Sequence, residues 1–167
     1  MTDPRDKPRN DPRDDIVTHL APLRAFAISL TRDTQAADDL VQDTIVKAWG
    51  NFEKFQPGTN LQAWMFTILR NTFYSGKRKL SREVADVDGV FAANLSVSPD
   101  HDGRLAVTDF LKFYGQLPVE QREVLALVGA SGFSYEEAAQ MCDVKIGTIK
   151  SRINRARQRL AELMALD

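Results

Sequence analysis

The sequence has few of the residues from which catalytic and metal sites are usually built. Its 167 residues include one cysteine, Cys142, and two histidines, His19 and His101. One thiol cannot form an intramolecular disulfide framework or a multi-cysteine zinc site, and it fits a reducing cytoplasm. The histidines are far apart, with no neighbouring ligand or nucleophile pattern, and there is no glycine-rich phosphate loop. We therefore expect no enzyme, no metal, no cofactor and no small-molecule substrate.

Long hydrophobic runs are also absent. No run approaches the roughly 20 apolar residues that a membrane-spanning helix needs. The first residues, MTDPRDKPRNDPRDD, are Pro, Asp and Arg without an apolar segment, so they do not form a signal peptide. Their composition predicts a disordered tail over residues 1–13. The sequence predicts a soluble, cytoplasmic protein that binds no membrane.

Positive charge is concentrated in one place. The net charge is only −1, yet no acid occurs between Lys145 and Ala161. Ser134 stands three residues before Glu137, which is the spacing of a capping box at a helix start. After a break at 142–144, apolar residues recur at steps of three and four and predict one buried stripe: Ile146, Ile149, Ile153, Ala156, Leu160 and Leu163. This pattern predicts a helix-turn-helix.

The second helix of this motif carries the residues expected to bind DNA. With the apolar stripe facing the core, four residues point directly away and are candidates for base contacts: Ser151, Asn154, Arg155 and Gln158. Four cations flank them, where phosphates would lie: Lys150, Arg157, Arg152 and Arg159. The alternative is a solvated terminal helix, but exposed helices usually mix charges of both signs. This one has no acid, which favours DNA contact in the major groove.

The rest of the chain predicts an all-α fold with two small helical domains joined by a flexible acidic linker. We place the first domain at 14–80, the linker at 81–106 and the second domain at 107–167. In the first domain we expect a helix interrupted or restarted at Pro22, one over about 35–52 and one over about 61–79. Asn60 is the expected cap of the third. In the second domain, helical pattern starts at 105, breaks over 115–118 and resumes with Pro118 as first residue.

Two helices of the first domain carry further candidate surfaces. In the third helix, aromatic and basic residues share the outward face, which suits stacking on single-stranded nucleic acid: Phe66, Arg70, Phe73, Tyr74, Lys77 and Arg78. Each ring alone is also compatible with a core position. The second helix, with Trp49 on its buried side, turns Asp39, Gln42 and Asp43 outward. That acidic face is either solvated or a docking face for a basic protein surface, and spacing does not separate the two.

Two segments together resemble one family. DDLVQDTIVKAW followed by LQAWMFTILRNTFYSGKRK, and then SYEEAAQ with GTIKSRINRARQRL, are similar to bacterial sigma factors of the compact extracytoplasmic-function group, which have only the second and fourth sigma domains. The segment LVGASGFSYEEAA further resembles the sigma factors of the general stress response in alphaproteobacteria, the EcfG type.

The resemblance implies partners for each surface. Asp39, Gln42 and Asp43 match the segment that contacts the clamp helices of the largest subunit of core RNA polymerase. The loop at about 52–60 and the third helix match the part that binds the melted minus-10 promoter element. Lys150, Ser151, Asn154 and Arg155 match positions that read the minus-35 element of promoter DNA. The branch also implies inhibition by an anti-sigma factor of the NepR type.

Two other classes of protein remain as alternatives. One is a sigma-mimic that binds the anti-sigma factor and no DNA; the cations on the recognition helix and the absence of a following receiver domain argue against it. The other is a stand-alone helix-turn-helix regulator, which would not need the aromatic and basic third helix.

Overall fold

In the computed structural model, which describes residues 11–85 and 105–166, every regular element of the described chain is helical. A 3-10 helix, Pro12–His19, precedes α1 (Leu20–Thr31), α2 (Thr34–Gly50), a short 3-10 turn (Phe52–Lys54) and α3 (Leu61–Ala85). We call this part, 11–85, the N-terminal domain. The C-terminal domain, 105–166, consists of α4 (Leu105–Tyr114), α5 (Val119–Val124), a π-helix (Leu125–Ala130) that continues α5, α6 (Tyr135–Cys142) and α7 (Ile146–Ala165). The predicted all-α fold is confirmed.

Polar caps fix where several helices begin. The amide of Ala63 donates to Asn60 Oδ1 at 3.2 Å, and the amide of Glu137 donates to Ser134 Oγ at 3.1 Å. Both caps were expected from the sequence, and each satisfies an amide that has no partner inside its helix. Asp33 caps α2 in the same way, accepting from Ala36 N at 2.7 Å.

Several predicted boundaries were wrong. Helix α3 was expected to end at about 79 but continues to Ala85, into the segment that we assigned to the linker. Helix α4 begins at Leu105, where the helical pattern was expected to start. Residues 86–104 lie outside the described residues. Pro118 is the N-cap of α5 and not its first helical residue. Pro12 and Arg13, expected in the tail, belong to the first 3-10 helix, while residues 1–10 lie outside the described part.

The side chain of Trp49 was also misplaced by the sequence pattern. We expected it on the buried side of α2, but it is 52% exposed. The guanidinium of Arg13 lies over its ring, 5.4 Å from the ring centre. The indole therefore lies at the surface, beneath a cation, and not in the core.

The two domains share one apolar core. In the N-terminal domain, Phe26 of α1 stacks on Phe66 of α3 with ring centres 4.8 Å apart. Phe133, in the loop before α6, meets Phe66 edge to face at 5.3 Å. Around them lie buried residues of both domains, including Leu69 and Met141. A smaller cluster joins α4 to α7 within the C-terminal domain.

Candidate nucleic-acid interface

Helices α6 and α7 form the predicted helix-turn-helix. Asp143 ends α6 in the left-handed conformation at φ 52°, and the amide of Val144 donates back to the carbonyl of Ala139 at 3.1 Å. The apolar stripe of α7 then faces inward, with Ile149 and Ile153 at most 1% exposed. Its first member, Ile146, is 37% exposed and lies at the edge of the stripe. The rotation of α7 about its axis is thus fixed by packing against α5 and α6.

The opposite face of α7 is strongly basic. Six of its predicted DNA-binding residues are exposed: Lys150, Asn154, Arg155, Arg157, Gln158 and Arg159. Ser151 and Arg152 are only half-exposed, and the Ser151 hydroxyl donates to the carbonyl of Thr148 at 3.0 Å. The expectation that Ser151 points directly away from the core was wrong, because its side chain turns back on the helix.

An acid at the end of α7 limits the basic face. Glu162 accepts from Gln158 Nε2 at 3.3 Å and lies 3.6 Å from the guanidinium of Arg159. Both partners are well exposed, so this ion pair stabilises the helix only weakly. The face that presents cations without a nearby acid therefore runs from Lys150 to Arg157.

The predicted single-strand surface on α3 is only partly accessible. Phe66 has no exposed surface and lies between Phe26 and Phe133. Its prediction as an outward, base-stacking residue was wrong for this arrangement, because Phe26 of the N-terminal domain and Phe133 of the C-terminal domain together enclose its ring. Phe73 and Tyr74 are half-buried, whereas Lys77 and Arg78 are exposed.

A carboxylate from the C-terminal domain binds two of these residues. Glu123 of α5 has no exposed surface; its Oε1 accepts from Arg70 Nε, and its Oε2 accepts from the Tyr74 hydroxyl at 2.9 Å. The Arg70 guanidinium also lies 4.7 Å from the centre of the Tyr74 ring. Burial by itself lowers the pKa of Arg70, but the charge and hydrogen bond of Glu123, together with the neighbouring Cys142 and Tyr74, outweigh burial and raise the pKa. Burial, together with Glu123, raises the pKa of the Tyr74 phenol. Both residues stay in their ordinary protonation states at neutral pH.

A groove on the other side of α3 contains residues that the sequence analysis missed. It has a volume of about 410 Å³ and lies between α2 and α3, lined by Lys47, Asn51, Lys54, Trp64, Ile68, Asn71, Thr72 and Ser75. Lys47 Nζ donates to Thr72 Oγ1 at 3.1 Å. Trp64 packs against Phe55 of the preceding loop, with ring centres 5.4 Å apart. Cations and amides beside an aromatic wall suit an unstacked base and its phosphates. The available sequence clue was the spacing of Lys47, Asn51 and Lys54, which runs from the last turn of α2 through its C-cap into the 3-10 turn.

The acidic face of α2 is open. Asp39, Gln42 and Asp43 are all exposed. Asp39 accepts from Gln35 Nε2 at 3.3 Å, and together with Asp43 it lines a shallow groove that reaches Leu80 of α3. The neighbouring Asp38 is used internally, since its Oδ1 accepts from Arg24 Nε at 2.7 Å. The three predicted docking residues therefore share one accessible surface with an apolar edge.

Within 11–85 and 105–166, no group of His, Cys, Asp or Glu is arranged to hold a metal ion. Over the same residues, no helix is both long and apolar enough to cross a membrane.

Comparison with known proteins assigns the two domains. Residues 16–83 match the family model Sigma-70 region 2, and residues 110–160 match Sigma-70, region 4. The chain is 53% identical over 155 residues to the ECF RNA polymerase sigma factor EcfG of Rhodopseudomonas palustris, covering 93% of this chain and 86% of that protein.

Two solved structures are also similar. The sigma factor RpoE of Bartonella quintana, determined in complex with the anti-sigma factor NepR, is 52% identical, with a TM-score of 0.84 and coverage of 93% of this chain and 97% of that one. The PhyRSL–NepR complex from Sphingomonas sp. Fr1, at 20% identity and a TM-score of 0.69, covers 94% of this chain and 92% of that one, and it shows the fold alone. The chain belongs to the sigma-70 family of RNA polymerase sigma factors, in its extracytoplasmic-function group.

Proposed function

We propose that the protein binds core RNA polymerase, directs it to promoters of general stress-response genes, and is held inactive by an anti-sigma factor of the NepR type. The observation that carries this proposal is the basic outward face of α7, set on a helix-turn-helix whose rotation is fixed by a buried stripe. The protein contributes no catalytic group, and its role is to supply binding energy for promoter recognition and strand opening.

On α7, the residues divide by position. Asn154, Arg155 and Gln158 project from the middle of the exposed face and are our candidates for base contacts in the minus-35 element. Lys150, Arg152, Arg157 and Arg159 lie at its sides and are our candidates for phosphate contacts. Ser151 remains a candidate only for a contact with the DNA backbone, since its hydroxyl already donates to the carbonyl of Thr148 in its own helix.

For the minus-10 element we propose two contact regions in the first sigma domain, which we place at 14–80. The groove between α2 and α3 offers Lys47, Lys54 and the Trp64 ring for an unstacked base. The exposed Lys77 and Arg78 lie further along α3 and would follow the backbone of the single strand. Arg70 and Tyr74 can contact the strand only when their hydrogen bonds to Glu123 are broken.

The acidic face of α2 is the proposed docking surface for polymerase. The carboxylates of Asp39 and Asp43, with Gln42 between them, are free to contact the clamp helices of the largest subunit. The relative RpoE was solved with NepR bound. We propose that an inhibitor of this type covers the same surface, so that inhibitor and polymerase exclude each other.

Run-off transcription from a stress-type promoter tests the proposal. Core polymerase should give specific transcripts only when this protein is added. The double substitution Asp39→Asn and Asp43→Asn should abolish them, whereas Asp38→Asn, on the same helix but bonded to Arg24, serves as the matched control.

Two results would contradict the proposal. Absence of transcripts with a polymerase that is active with another sigma factor would favour the sigma-mimic alternative, and binding of promoter duplex without polymerase would favour a stand-alone regulator. A ternary complex of polymerase, this protein and inhibitor in size-exclusion chromatography would refute mutual exclusion.

A further inference from the structure

A groove borders α7 where the start of α5 packs against it. It has a volume of about 340 Å³ and is lined by six residues: Pro118, Gln121, Arg155, Gln158, Arg159 and Glu162. Arg155, our candidate for a base contact, therefore lies beside a polar residue of another helix, Gln121, to which the proposed function gives no role. The hydrogen bonds available in this groove decide how the guanidinium of Arg155 can be held.

The side-chain amide of Gln121 carries a buried acceptor without a donor. Its Oε1 is shielded from solvent, and no group of the described chain donates a hydrogen bond to it. A buried acceptor in this state is costly, and such atoms are rare in folded proteins. Gln121 can therefore gain a hydrogen bond from a group that is not bonded to it in the free protein.

Three side chains of α7 in the groove carry N–H donors. Gln158 Nε2 donates to Glu162 at 3.3 Å, and the guanidinium of Arg159 lies 3.6 Å from the same carboxylate. Among the ion pairs within 11–85 and 105–166, none includes Arg155. Arg155 is thus the donor in the groove that no acid of the described chain holds.

A guanidinium that reads a base has donors to spare. It carries five N–H groups, and a bidentate contact with guanine O6 and N7 uses two of them. The remaining donors need acceptors where the interface with DNA excludes water. An acceptor supplied by the protein also restricts the arginine to one rotamer before it meets the base, so less entropy is lost on binding.

The position of Gln121 is set by helix packing. Its backbone amide donates to the carbonyl of Pro118 at 3.0 Å, which fixes the first turn of α5. Val124 of α5 and Ile153 of α7 are both buried in one apolar core, so the two helices are held against each other. The last torsion of a glutamine side chain is broad, so the amide can turn its oxygen toward Arg155 without a shift of either helix.

We propose that Gln121 is a positioning residue for minus-35 recognition: its amide oxygen accepts a hydrogen bond from the guanidinium of Arg155 when that guanidinium contacts a base. The inference rests on the proposed function, because it assigns Arg155 to the minus-35 element. In the free protein the oxygen stays unpaired, and DNA binding orders its donor. Gln121 therefore contributes to sequence preference without touching DNA.

The test measures base preference with Gln121→Met. Methionine is also long and unbranched, and it removes the acceptor. Core polymerase carrying each variant is titrated with promoter duplexes that have single-base changes across the minus-35 element. At the base pair where Arg155→Ala loses preference, we expect Gln121→Met to lower the preference about threefold to tenfold, the net effect of one hydrogen bond. Gln116→Met, which changes an exposed glutamine of the same domain, is the matched control and should leave the preference unchanged.

Two further variants assign the effect to the bond with Arg155. Gln121→Glu keeps an acceptor and should keep the preference within about twofold, although its charge weakens binding to every sequence. In an Arg155→Ala background, Gln121→Met should cause no further loss of preference, since the donor is gone. The proposal is overturned if Gln121→Glu loses as much preference as Gln121→Met, or if the losses caused by Gln121→Met and Arg155→Ala simply add.

The stability of the free protein separates positioning from a structural role. Gln121→Met removes an unpaired buried acceptor, so the midpoint of urea unfolding should rise, by about 0.5 M. A structural role predicts that the midpoint falls together with the base preference, and that result would refute the proposal. Higher stability with lower base preference is therefore the combination that identifies a positioning residue.

Failure of this inference is distinct from failure of the proposed function. If polymerase with the unmodified protein prefers particular bases, and Arg155→Ala removes that preference while Gln121→Met leaves it unchanged, only the role of Gln121 is wrong. If polymerase with the unmodified protein shows no preference at any base pair of the minus-35 element, the proposed function is refuted, and the positioning role with it.

Discussion

The substitution Phe133→Ala tests how strongly the two domains are coupled. Phe133 is 5% exposed and lies edge-on to Phe66, which in turn stacks on Phe26. It is thus the aromatic link through which the apolar core passes from one domain to the other.

The expected magnitude follows from burial. Truncation of a buried phenylalanine to alanine costs about 3–5 kcal/mol, of which the aromatic contact with Phe66 accounts for about 0.5–1.5 kcal/mol. With a denaturant slope of about 2 kcal/mol per molar urea, the unfolding midpoint should fall by roughly 1.5–2.5 M. Phe66 would at the same time lose its cover.

Tryptophan fluorescence and circular dichroism together can detect this loss of coupling between the domains. Its two tryptophans, Trp49 and Trp64, both lie in the N-terminal domain. Tryptophan fluorescence therefore follows that domain, whereas far-UV circular dichroism follows the helices of both. In the unmodified protein the two transitions should coincide, since the core is shared. In the Phe133→Ala protein they should separate, with the fluorescence transition at higher urea.

Phe113→Ala is the matched control. Phe113 is 7% exposed and packs in the small cluster that joins α4 to α7, within the C-terminal domain. Its truncation should lower stability by a similar amount and leave domain coupling through Phe133 in place. If the two transitions of Phe133→Ala stayed coincident, as those of Phe113→Ala should, the idea of a core shared through Phe133 would be wrong.

Four further substitutions each change a single side chain. Arg155→Ala should cost about 1–3 kcal/mol at one base pair and relax preference there, whereas Arg157→Ala should weaken binding to all sequences equally and lower the salt slope by about one unit. Competition binding with single-base promoter variants distinguishes the two, and a change of preference in the Arg157 variant would mean that α7 is rotated differently on DNA. Ser134→Ala should lower the unfolding free energy by about 1 kcal/mol, because it removes the cap of α6; an unchanged urea midpoint would contradict this. Burial raises the pKa of Cys142 from its ordinary 9.0 to about 12, so the unfolded chain loses this proton first and stability falls as the pH rises from 9 to 12, by at most about 4 kcal/mol. Cys142→Ala should flatten that alkaline decline in urea titrations, and an identical decline in both proteins would refute the assignment.

Local features of the fold were predictable from the sequence. The caps at Asn60 and Ser134 involve groups three residues apart, so short-range chemistry is enough to place them. The apolar stripe of α7 was also correct at Ile149 and Ile153, because that helix has one buried side and a clear period. Family resemblance supplied the pairing of the two domains, which the pattern of apolar residues alone does not contain.

Long-range contacts were not predictable in this way. Nothing near Glu123 in the sequence indicates that its carboxylate would be buried against α3, since its partners Arg70 and Tyr74 are 53 and 49 residues away. The predicted burial of Trp49 was wrong for the opposite reason. Its apolar character predicted a place in the core, but its ring lies at the surface beneath Arg13 of the N-terminal 3-10 helix. In both cases a distant segment decides the environment.

Helix α3 shows why a periodic pattern can identify a surface and still misjudge its accessibility. A periodic pattern of apolar residues predicts one buried face, as for a helix that packs on a single neighbour. Helix α3, however, contacts α1 and α2 of its own domain and α6 of the C-terminal domain. Its apolar and aromatic residues are therefore enclosed on both sides, while every residue from 75 to 83 is exposed. A DNA single strand that approaches the protein in the arrangement seen here meets Lys77 and Arg78 first. These cations can bind its phosphate backbone without any movement of the domains. Stacking on the earlier part of the helix requires Glu123 to leave, so electrostatic capture should precede base recognition.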